Sequence, residues 1–568
     1  MRKALISLLL AAVLLCSGVT ASAVTVQELP EAPERFADVV SKDNPLRTVF
    51  SGAYRVPVKV DEETERSAIV YLSKDYQQTQ GFVMVVPDSG MTAEQCLEDG
   101  GWKALADKKG LMLMVLEPDG KPDLSPEGGD FAYLKAVAGV AGSRTHWMQL
   151  KGRLYMAAYG DGADLAMKYV QANVNSWAGL VTFGDLTVEP KDLANTKGIE
   201  LPVWMFVNTL DKEKALVEQF KSNNGCTSEA FSTRNATQIY MPNQKTNDLL
   251  LNDQPMSQVR VTVARDAAEL RPARTSLVYD FLRLGTREVA YGNVMRYSRD
   301  LSDWGAEVKT VQIDGITRSY IQYVPASLRE TAAGKAPLML ALHGNALNGE
   351  YFVERTNFIR MAEEYGFIIV SPTGSISNGV SPTWNLKRAE GEWDDVAFIK
   401  AMIDKVCKEQ PVDTSRIYCY GHSMGGMTTQ MLVTALDGTF AAAAGTGCAS
   451  TNVPKAESHT HDTPIFVIMG ENDLFGTTYA DENAQYFINY FTEYNKTAKE
   501  PTSYRSGRFE HYTFVNEAGV PMVRFTIADE MPHTATLDEG MLIFDFLSQF
   551  SRGANGAVVY QGGVYNAK

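Results

Sequence analysis

Three residues far apart in the chain carry the most reactive chemistry this sequence offers: Ser423, Asp473 and His533. Ser423 lies in "RIYCYGHSMGGMTTQML", where an apolar run stops at Gly421-His422-Ser423-Met424-Gly425 and a helix-like pattern follows. A Gly-x-Ser-x-Gly corner between strand and helix holds the serine hydroxyl clear of the sheet, and the helix start adds positive potential. A serine hydroxyl is a weak nucleophile at neutral pH and needs a base that is itself oriented by an acid. Asp473 follows the run "PIFVIMG", and His533 follows "VRFTIAD". Both therefore fall at the C-terminal ends of expected strands, where an open parallel sheet assembles its site. Serine, acid, histidine is also the chain order that such corners use. Attack on an acyl carbonyl further requires donors for the developing oxyanion. The backbone amides of Met424 and of Asn345, in "LHGNALNG", are the candidates, with His343 a structural residue of that loop.

The competing residues are weaker. His511 lies in the expected hairpin "RFEHYTFVNEAGVPMVRF", and His459 and His461 stand before a strand, at the wrong end for catalysis. A metal cluster in "ESHTHDTP" is less favoured than a solvated loop, and no metal or other cofactor is expected. Asp462 and Asp481 are weaker acids for the site than Asp473. After Cys16, the cysteines Cys96, Cys226, Cys407, Cys419 and Cys448 are too few and too scattered for a disulfide framework, and no Cys-x-x-Cys suggests zinc. One disulfide stays open, with partners that spacing does not choose.

The elements that must position these residues are short β-branched or aromatic runs alternating with helical patterns. "PLMLALHG", "GFIIVSP" and "SRIYCYG" read as strands, and Val396, Ile399, Met402, Ile403 and Val406 fall at helical spacing in "DDVAFIKAMIDKVCKEQ". That alternation predicts an α/β fold with doubly wound, mostly parallel sheets covered on both faces. The pattern is also written twice. "RSAIVYLS" at 66–73 resembles "RSYIQYVP" at 318–325, "LPVWMFVNTLD" at 201–211 resembles "TPIFVIMGEND" at 463–473, and "VRVTVA" at 259–264 resembles "VRFTIA" at 523–528. The offset drifts only from 252 to 265 residues along the series. Two tandem domains are expected, at 45–290 and 300–553, joined by "TREVAYGNVMRYSRDLSDWG" and followed by a flexible tail at 554–568.

The first copy lacks the reactive set. Its corner, "RLYMAAYGDGADLAMKY", carries Gly160 where the second has Ser423; Asp211 matches Asp473, Glu269 matches His533, and Pro87-Asp88 matches His343-Gly344. His146 lies too far along the sheet to serve as a base, and Asp161 as a carboxylate nucleophile would need different chemistry. This copy is expected to keep the fold without the activity.

Composition narrows the setting. The 568 residues are 45% hydrophobic and 21% charged, an ordinary globular balance. A net charge of −15 repels phosphate backbones, so no nucleic-acid partner is expected. Arg2 and Lys3, the run "ALISLLLAAVLLC" and "ASA" ending at Ala23 read as a Sec-type signal peptide over 1–23, cleaved after Ala23. No later run is long and apolar enough to span a membrane. The mature chain is expected to be secreted or periplasmic.

From about 300 to 553 the chain resembles the secreted polyhydroxybutyrate depolymerase and feruloyl or acetyl-xylan esterase group of the α/β-hydrolase superfamily. The carrying segments are "LHGNALNG", "GFIIVSPTG", "TWNLKRAEGEWDDVAFIKAMID", "SRIYCYGHSMGGMTT", "GENDLFG" and "MPHTATLDEGMLIFDFL". The resemblance implies two tandem α/β-hydrolase-like domains, the first degenerate. It also implies ester hydrolysis through an acyl-enzyme with Ser423, Asp473 and His533. Trp384 matches a tryptophan that lies near the acyl or sugar site in that group and, with His422, is expected to bind substrate. Feruloyl or acetyl esters of plant polysaccharide are the expected substrates. A polyester or oligoester is the alternative, and a prolyl-oligopeptidase-type peptidase is further off because no propeller-like repeat precedes residue 300. The chain lacks the paired cysteines that flank the corner in tannase-type enzymes. "HGN" stands where polyester depolymerases often have a cysteine.

Overall fold

The computed structural model describes residues 24–560 apart from 33–41, 44–49, 77–80, 143–145, 148–151, 235, 244–255, 288–292, 294, 298–300, 331–333, 357, 377–381, 450–458, 476–477 and 536. The expected signal peptide at 1–23 lies outside the described residues.

The first half builds an 11-stranded sheet from β1 (Val26–Glu28), β2 (Gly52–Lys59), β3 (Glu65–Leu72), β4 (Phe82–Val86), β5 (Met112–Leu116), β6 (Leu154–Tyr159), β7 (Gly179–Phe183), β8 (Val203–Val207), β9 (Ser232–Arg234), β10 (Thr237–Tyr240) and β11 (Val259–Val263). Its order is β1-β2-β3-β5-β4-β6-β7-β8-β11-β10-β9. A ribbon of β12 (Gly285–Arg287) and β13 (Met295–Tyr297) follows, within the expected joining segment. The second half builds a 10-stranded sheet from β14 (Glu307–Ile313), β15 (Ile316–Tyr323), β16 (Ala336–Leu342), β17 (Ile368–Pro372), β18 (Val412–His422), β19 (Ala442–Thr446), β20 (Ile465–Asn472), β21 (Thr502–Ser506), β22 (Phe509–Val515) and β23 (Pro521–Pro532), in the order β14-β15-β17-β16-β18-β19-β20-β23-β22-β21. With the short edge strand β1 set aside, the two orders are the same, strand for strand. In each sheet the central strands run parallel and, β1 apart, the flanks are antiparallel.

The continuous apolar runs exist because the central strands are buried on both faces. Along β16, Leu338, Leu340 and Leu342 pack into one core while Met339 and Ala341 pack into the other. Phe82, Met84 and Val86 divide from Val83 and Val85 in the same way along β4. The expected helix is present as Asp395–Glu409, with Val396, Ile399, Met402, Ile403 and Val406 buried and the Asp394 carboxylate accepting from the Ala397 amide at its start.

Two elements depart from expectation. The first sheet begins at β1, ahead of residue 45, pairing parallel with β2. The tail is not wholly loose: β25 (Val558–Tyr560) pairs with β24 (Phe550–Arg552). Its anchor is the buried Arg552 guanidinium, which donates to the carbonyls of Phe440, Asp462 and Gly556 and to Thr463 Oγ1. The five cysteines after residue 24 are all free thiols.

Candidate active site

Ser423 sits where β18 gives way to the helix Met424–Ala435, with φ 54° and ψ −124°. Its amide donates to Thr446 O across to β19 at 2.8 Å. The turn is closed by contacts that admit no side chain. A Cβ on Gly421 would lie 2.2 Å from Gly425 O, one on Gly425 2.2 Å from Leu342 O, and one on Gly426 2.5 Å from Cys448 Cβ. Gly421 and Gly425 are thus required by close approach of backbones, and Gly426 by the Cys448 side chain.

The neighbouring strands deliver the partners. β20 and β23 run parallel with Asn472 opposite Pro532, so the next residues of both strands, Asp473 and His533, emerge side by side. His533 Nδ1 lies 3.0 Å from both carboxylate oxygens of Asp473, and His533 Nε2 lies 2.8 Å from Ser423 Oγ. With the Nδ1 proton held by the carboxylate, Nε2 is the lone-pair nitrogen facing the hydroxyl. The Asp473 side chain is wholly buried, and the His533 ring is one-fifth exposed. Gly447, at φ 57°, passes so near that a Cβ would sit 3.0 Å from the His533 ring and from Asp473 Oδ2. Sequence reasoning missed Gly447; the "AAAAGTG" end of β19 was its only signal.

The loop after β16 approaches Ser423 from the other side, with the place of a Gly344 Cβ only 3.3 Å from Ser423 Cβ. Within it the Ala346 amide donates to Pro382 O and the Leu347 amide to Gly344 O. Among the described residues no protein acceptor engages the Asn345 amide, and Asn345 is exposed. Met424 opens its helix, where N–H groups have no intrahelical partner. His343 is fully buried. It accepts from the Gly374 amide at Nε2, which leaves Nδ1 to donate to Gly344 O, and burial pushes its pKa down to about 4. It is a neutral brace for the loop.

Trp384 differs from expectation. It is fully buried rather than presented to substrate, its indole N–H donating to His343 O at 2.8 Å and its ring packed on the His343 ring. The physical reason lies in its loop. Asn385 donates its amide to Asp395, which also pairs with buried Arg318, and this draws the tryptophan inward. His422 is also largely buried, its Nδ1 3.2 Å from Thr446 Oγ1 and its ring 5.0 Å from that of His533. The exposed apolar surface beside the site comes instead from Leu474 and Phe475, directly after Asp473. The Phe475 ring meets the His533 ring edge-on at 5.2 Å.

The other candidates lie elsewhere. His511 is buried in the β22–β23 hairpin against Thr526, His459 stacks on Tyr494, His461 pairs with Asp437, and Asp462 with Lys496. Asp481 accepts from the Thr478 amide. Among the described residues no group of His, Cys, Asp or Glu converges as a metal site, and no helix is long and apolar enough to cross a membrane.

The first copy preserves the corner and fills it. Gly160 has φ 52° and ψ −128°, and its amide donates to Phe183 O as that of Ser423 does to Thr446 O. The Asp161 amide, the counterpart of the Met424 amide, donates to Asp88 Oδ2 at 3.1 Å. Asp211 pairs with Lys214, Glu269 with Arg271, and His146 contacts Pro30 O.

Residues 354–503 match the model of the prolyl oligopeptidase family. The ten-stranded sheet of the second half is consistent with an α/β-hydrolase fold. The chain is similar to curated esterases and to a depolymerase. A bifunctional acetylxylan esterase/xylanase of Neocallimastix patriciarum is 33% identical over 159 residues, which is 28% of this chain and 22% of that one. Feruloyl esterase B of Neurospora crassa is 29% identical over 29% of this chain and 54% of that one. Poly(3-hydroxyalkanoate) depolymerase C of Paucimonas lemoignei is 24% identical over 39% of this chain and 59% of that one. The chain thus spans between about a fifth and three fifths of the length of these relatives. Among solved structures, an acetyl xylan esterase from Aspergillus awamori aligns over 43% of this chain and 99% of that one at 16% identity, with a TM-score of 0.35.

Proposed function

We propose that the chain is an exported carboxylic-ester hydrolase in which Ser423 is the nucleophile, His533 the general base and Asp473 the residue that orients and charge-stabilises the imidazole. One observation carries this reading: the unbroken line from the Asp473 carboxylate through both ring nitrogens of His533 to Ser423 Oγ, at a strained corner. In the reaction His533 Nε2 takes the hydroxyl proton as Ser423 Oγ attacks the acyl carbon. The amides of Met424 and Asn345 hold the oxyanion, and the imidazolium then protonates the departing alcohol. Water, deprotonated by the same nitrogen, hydrolyses the acyl-enzyme.

The substrate reading is a feruloyl or acetyl ester borne on plant polysaccharide, with a polyester as the alternative. Similarity to the acetylxylan and feruloyl esterases supports it, and so does the apolar rim of Leu474 and Phe475, which suits an aromatic acyl or phenolic group. The first domain is read as an internal duplicate without activity, and the N-terminal segment as an export signal.

The match to the prolyl oligopeptidase model favours a second reading, a serine peptidase. Against it, the N-terminal half is one mixed 11-stranded sheet rather than a propeller. The test is a panel of p-nitrophenyl acetate, methyl ferulate, acetylated xylan, hydroxybutyrate oligomers and an aminoacyl amide, run on the wild type and on Ser423→Ala. Ester turnover and fluorophosphonate labelling that both vanish in the variant are expected. Amide cleavage without ester cleavage overturns the reading.

A further inference from the structure

We propose that the first domain sets the reactivity of the second through Arg153, a positioning residue for the loop that carries the Asn345 amide; this rests on the esterase reading above. Arg153 stands immediately before β6, the strand whose far end is the empty corner at Gly160. Its guanidinium does not serve its own domain's site. It forms an ion pair with Glu354 of the hydrolase domain, both side chains being almost fully buried at 5% and 3% exposure.

Glu354 lies on the short helix Gly349–Arg355, directly downstream of the oxyanion loop. On the same helix Tyr351 is 1% exposed, and the Arg153 guanidinium stands 5.3 Å from its ring centroid. The backbone of the first domain comes equally close, since a Cβ on Gly152 would lie 3.3 Å from Tyr351 Oη. Tyr351 also packs against Ala346 and Leu347 of the loop itself. Ala346 is held at φ 62°, a conformation a non-glycine residue keeps only when its surroundings enforce it. The helix is fastened to the loop through Asn348, whose side chain accepts from the Tyr351 amide. A continuous set of contacts therefore runs from Arg153 and Gly152 through Tyr351 to Ala346, the neighbour of the oxyanion donor.

An oxyanion donor works only when it already points at the place where charge develops, so the surface that fixes the loop fixes the rate. A buried ion pair is a suitable fastener because each charge demands the other's geometry once water is excluded. The first domain, with no nucleophile of its own, is thereby part of the enzyme's preorganisation.

The test uses the full chain and three variants. Arg153→Met/Glu354→Met removes both charges together, so that neither is left buried and unpaired. Its kcat on p-nitrophenyl acetate is expected to fall roughly 10- to 100-fold, a fraction of the ~100- to 1000-fold that follows outright loss of a donor. KM should stay within about twofold. Labelling by a fluorophosphonate should slow in parallel, because its phosphoryl oxygen uses the same donors. The pH profile of kcat/KM should keep its shape, because the His533–Asp473 pair is untouched; a general loosening of the site would move it. Arg153→Lys should retain most of kcat. A double variant that melts as the wild type does and keeps kcat within twofold overturns the proposal. Should the double variant not fold, Tyr351→Leu, which keeps the pair and removes only the ring against Ala346 and Leu347, is expected to give the same fall in kcat at constant KM; unchanged kcat there overturns the proposal too. A wild type inactive on every ester overturns the esterase reading itself, whereas an active wild type with unaffected variants overturns this inference alone.

Discussion

The first half prescribes a way to test the site proposed for the second. Asp88 occupies the loop position that Gly344 holds in the hydrolase domain, and its carboxylate accepts from the Asp161 amide, the equivalent of the Met424 amide. Gly344→Asp should therefore fill the oxyanion site with a side chain the fold already accommodates in its other half. Neither Gly344 nor Asp88 has a positive φ, and a Cβ at 344 meets its nearest atom, Ser423 Cβ, at 3.3 Å, so the backbone accepts the change with small adjustment. Blocking a donor costs about 3 to 4 kcal/mol of transition-state stabilisation. A fixed carboxylate about 4 Å from the developing oxyanion adds about 4 kcal/mol of repulsion at an effective dielectric of about 20. Together these remove about five decades of rate at about 1.4 kcal/mol per decade. The assay is kcat/KM on p-nitrophenyl acetate beside a thermal melt, with Gly344→Ala as the control that adds the Cβ without the charge. The expected order is wild type above Gly344→Ala, and Gly344→Asp at background with a melt within a few degrees of wild type. A folded Gly344→Asp variant within tenfold of wild type would refute the placement of the oxyanion between this loop and the Met424 amide.

Asp473→Asn should lower kcat by about four decades while leaving the fold intact, because the amide no longer holds the imidazole in the tautomer that presents a lone pair to Ser423; stopped assays on p-nitrophenyl acetate measure it. Phe475→Ala should raise KM for methyl ferulate severalfold and leave that for p-nitrophenyl acetate nearly unchanged, since the ring lines the approach to His533 and only the larger acyl group reaches it. His343 is neutral in the folded state, with a pKa near 4 against about 6.5 unfolded, so the unfolded chain binds the extra proton between these values. Stability is then full above about pH 6.5 and falls by up to about 3 kcal/mol as the pH drops toward 4; urea midpoints across that window should decline more steeply for wild type than for His343→Gln, and equal slopes would remove the assignment.

The sheets were legible because parallel strands buried on both faces leave continuous apolar runs, and their shared strand order goes with the recurrence of those runs at a nearly fixed offset. The convergence of Ser423, Asp473 and His533 was legible because strand ends fix where Asp473 and His533 emerge, and register does the rest. What stayed hidden depends on contacts between distant segments. β1 and β25, three residues each, are too short to impose a period, and each is held by what it pairs with. Trp384 was expected to bind substrate because it matches a tryptophan near the acyl or sugar site in the esterase group the chain resembles, but an indole N–H one hydrogen bond from a buried carbonyl is drawn into the core. Arg153 and Glu354 are 201 positions apart on different domains, and nothing local to either marks the other.

The corner itself accounts for the difference between the two halves. Ser423 at φ 54° carries a Cβ where left-handed backbone disfavours one, at a cost of about 1 to 3 kcal/mol. It also leaves amides facing outward for a substrate to use. In the first copy the same turn is made by Gly160, which bears no such cost, and the outward amide of Asp161 is satisfied by Asp88. Asp161 in turn accepts from the amide and hydroxyl of Ser89. The first half thus pairs internally both amides that correspond to those of Met424 and Asn345. The closure is also hard to reverse, because a Cβ restored at Gly160 would lie 1.7 Å from Asp88 Oδ2, and a nucleophile can return only if the carboxylate leaves first.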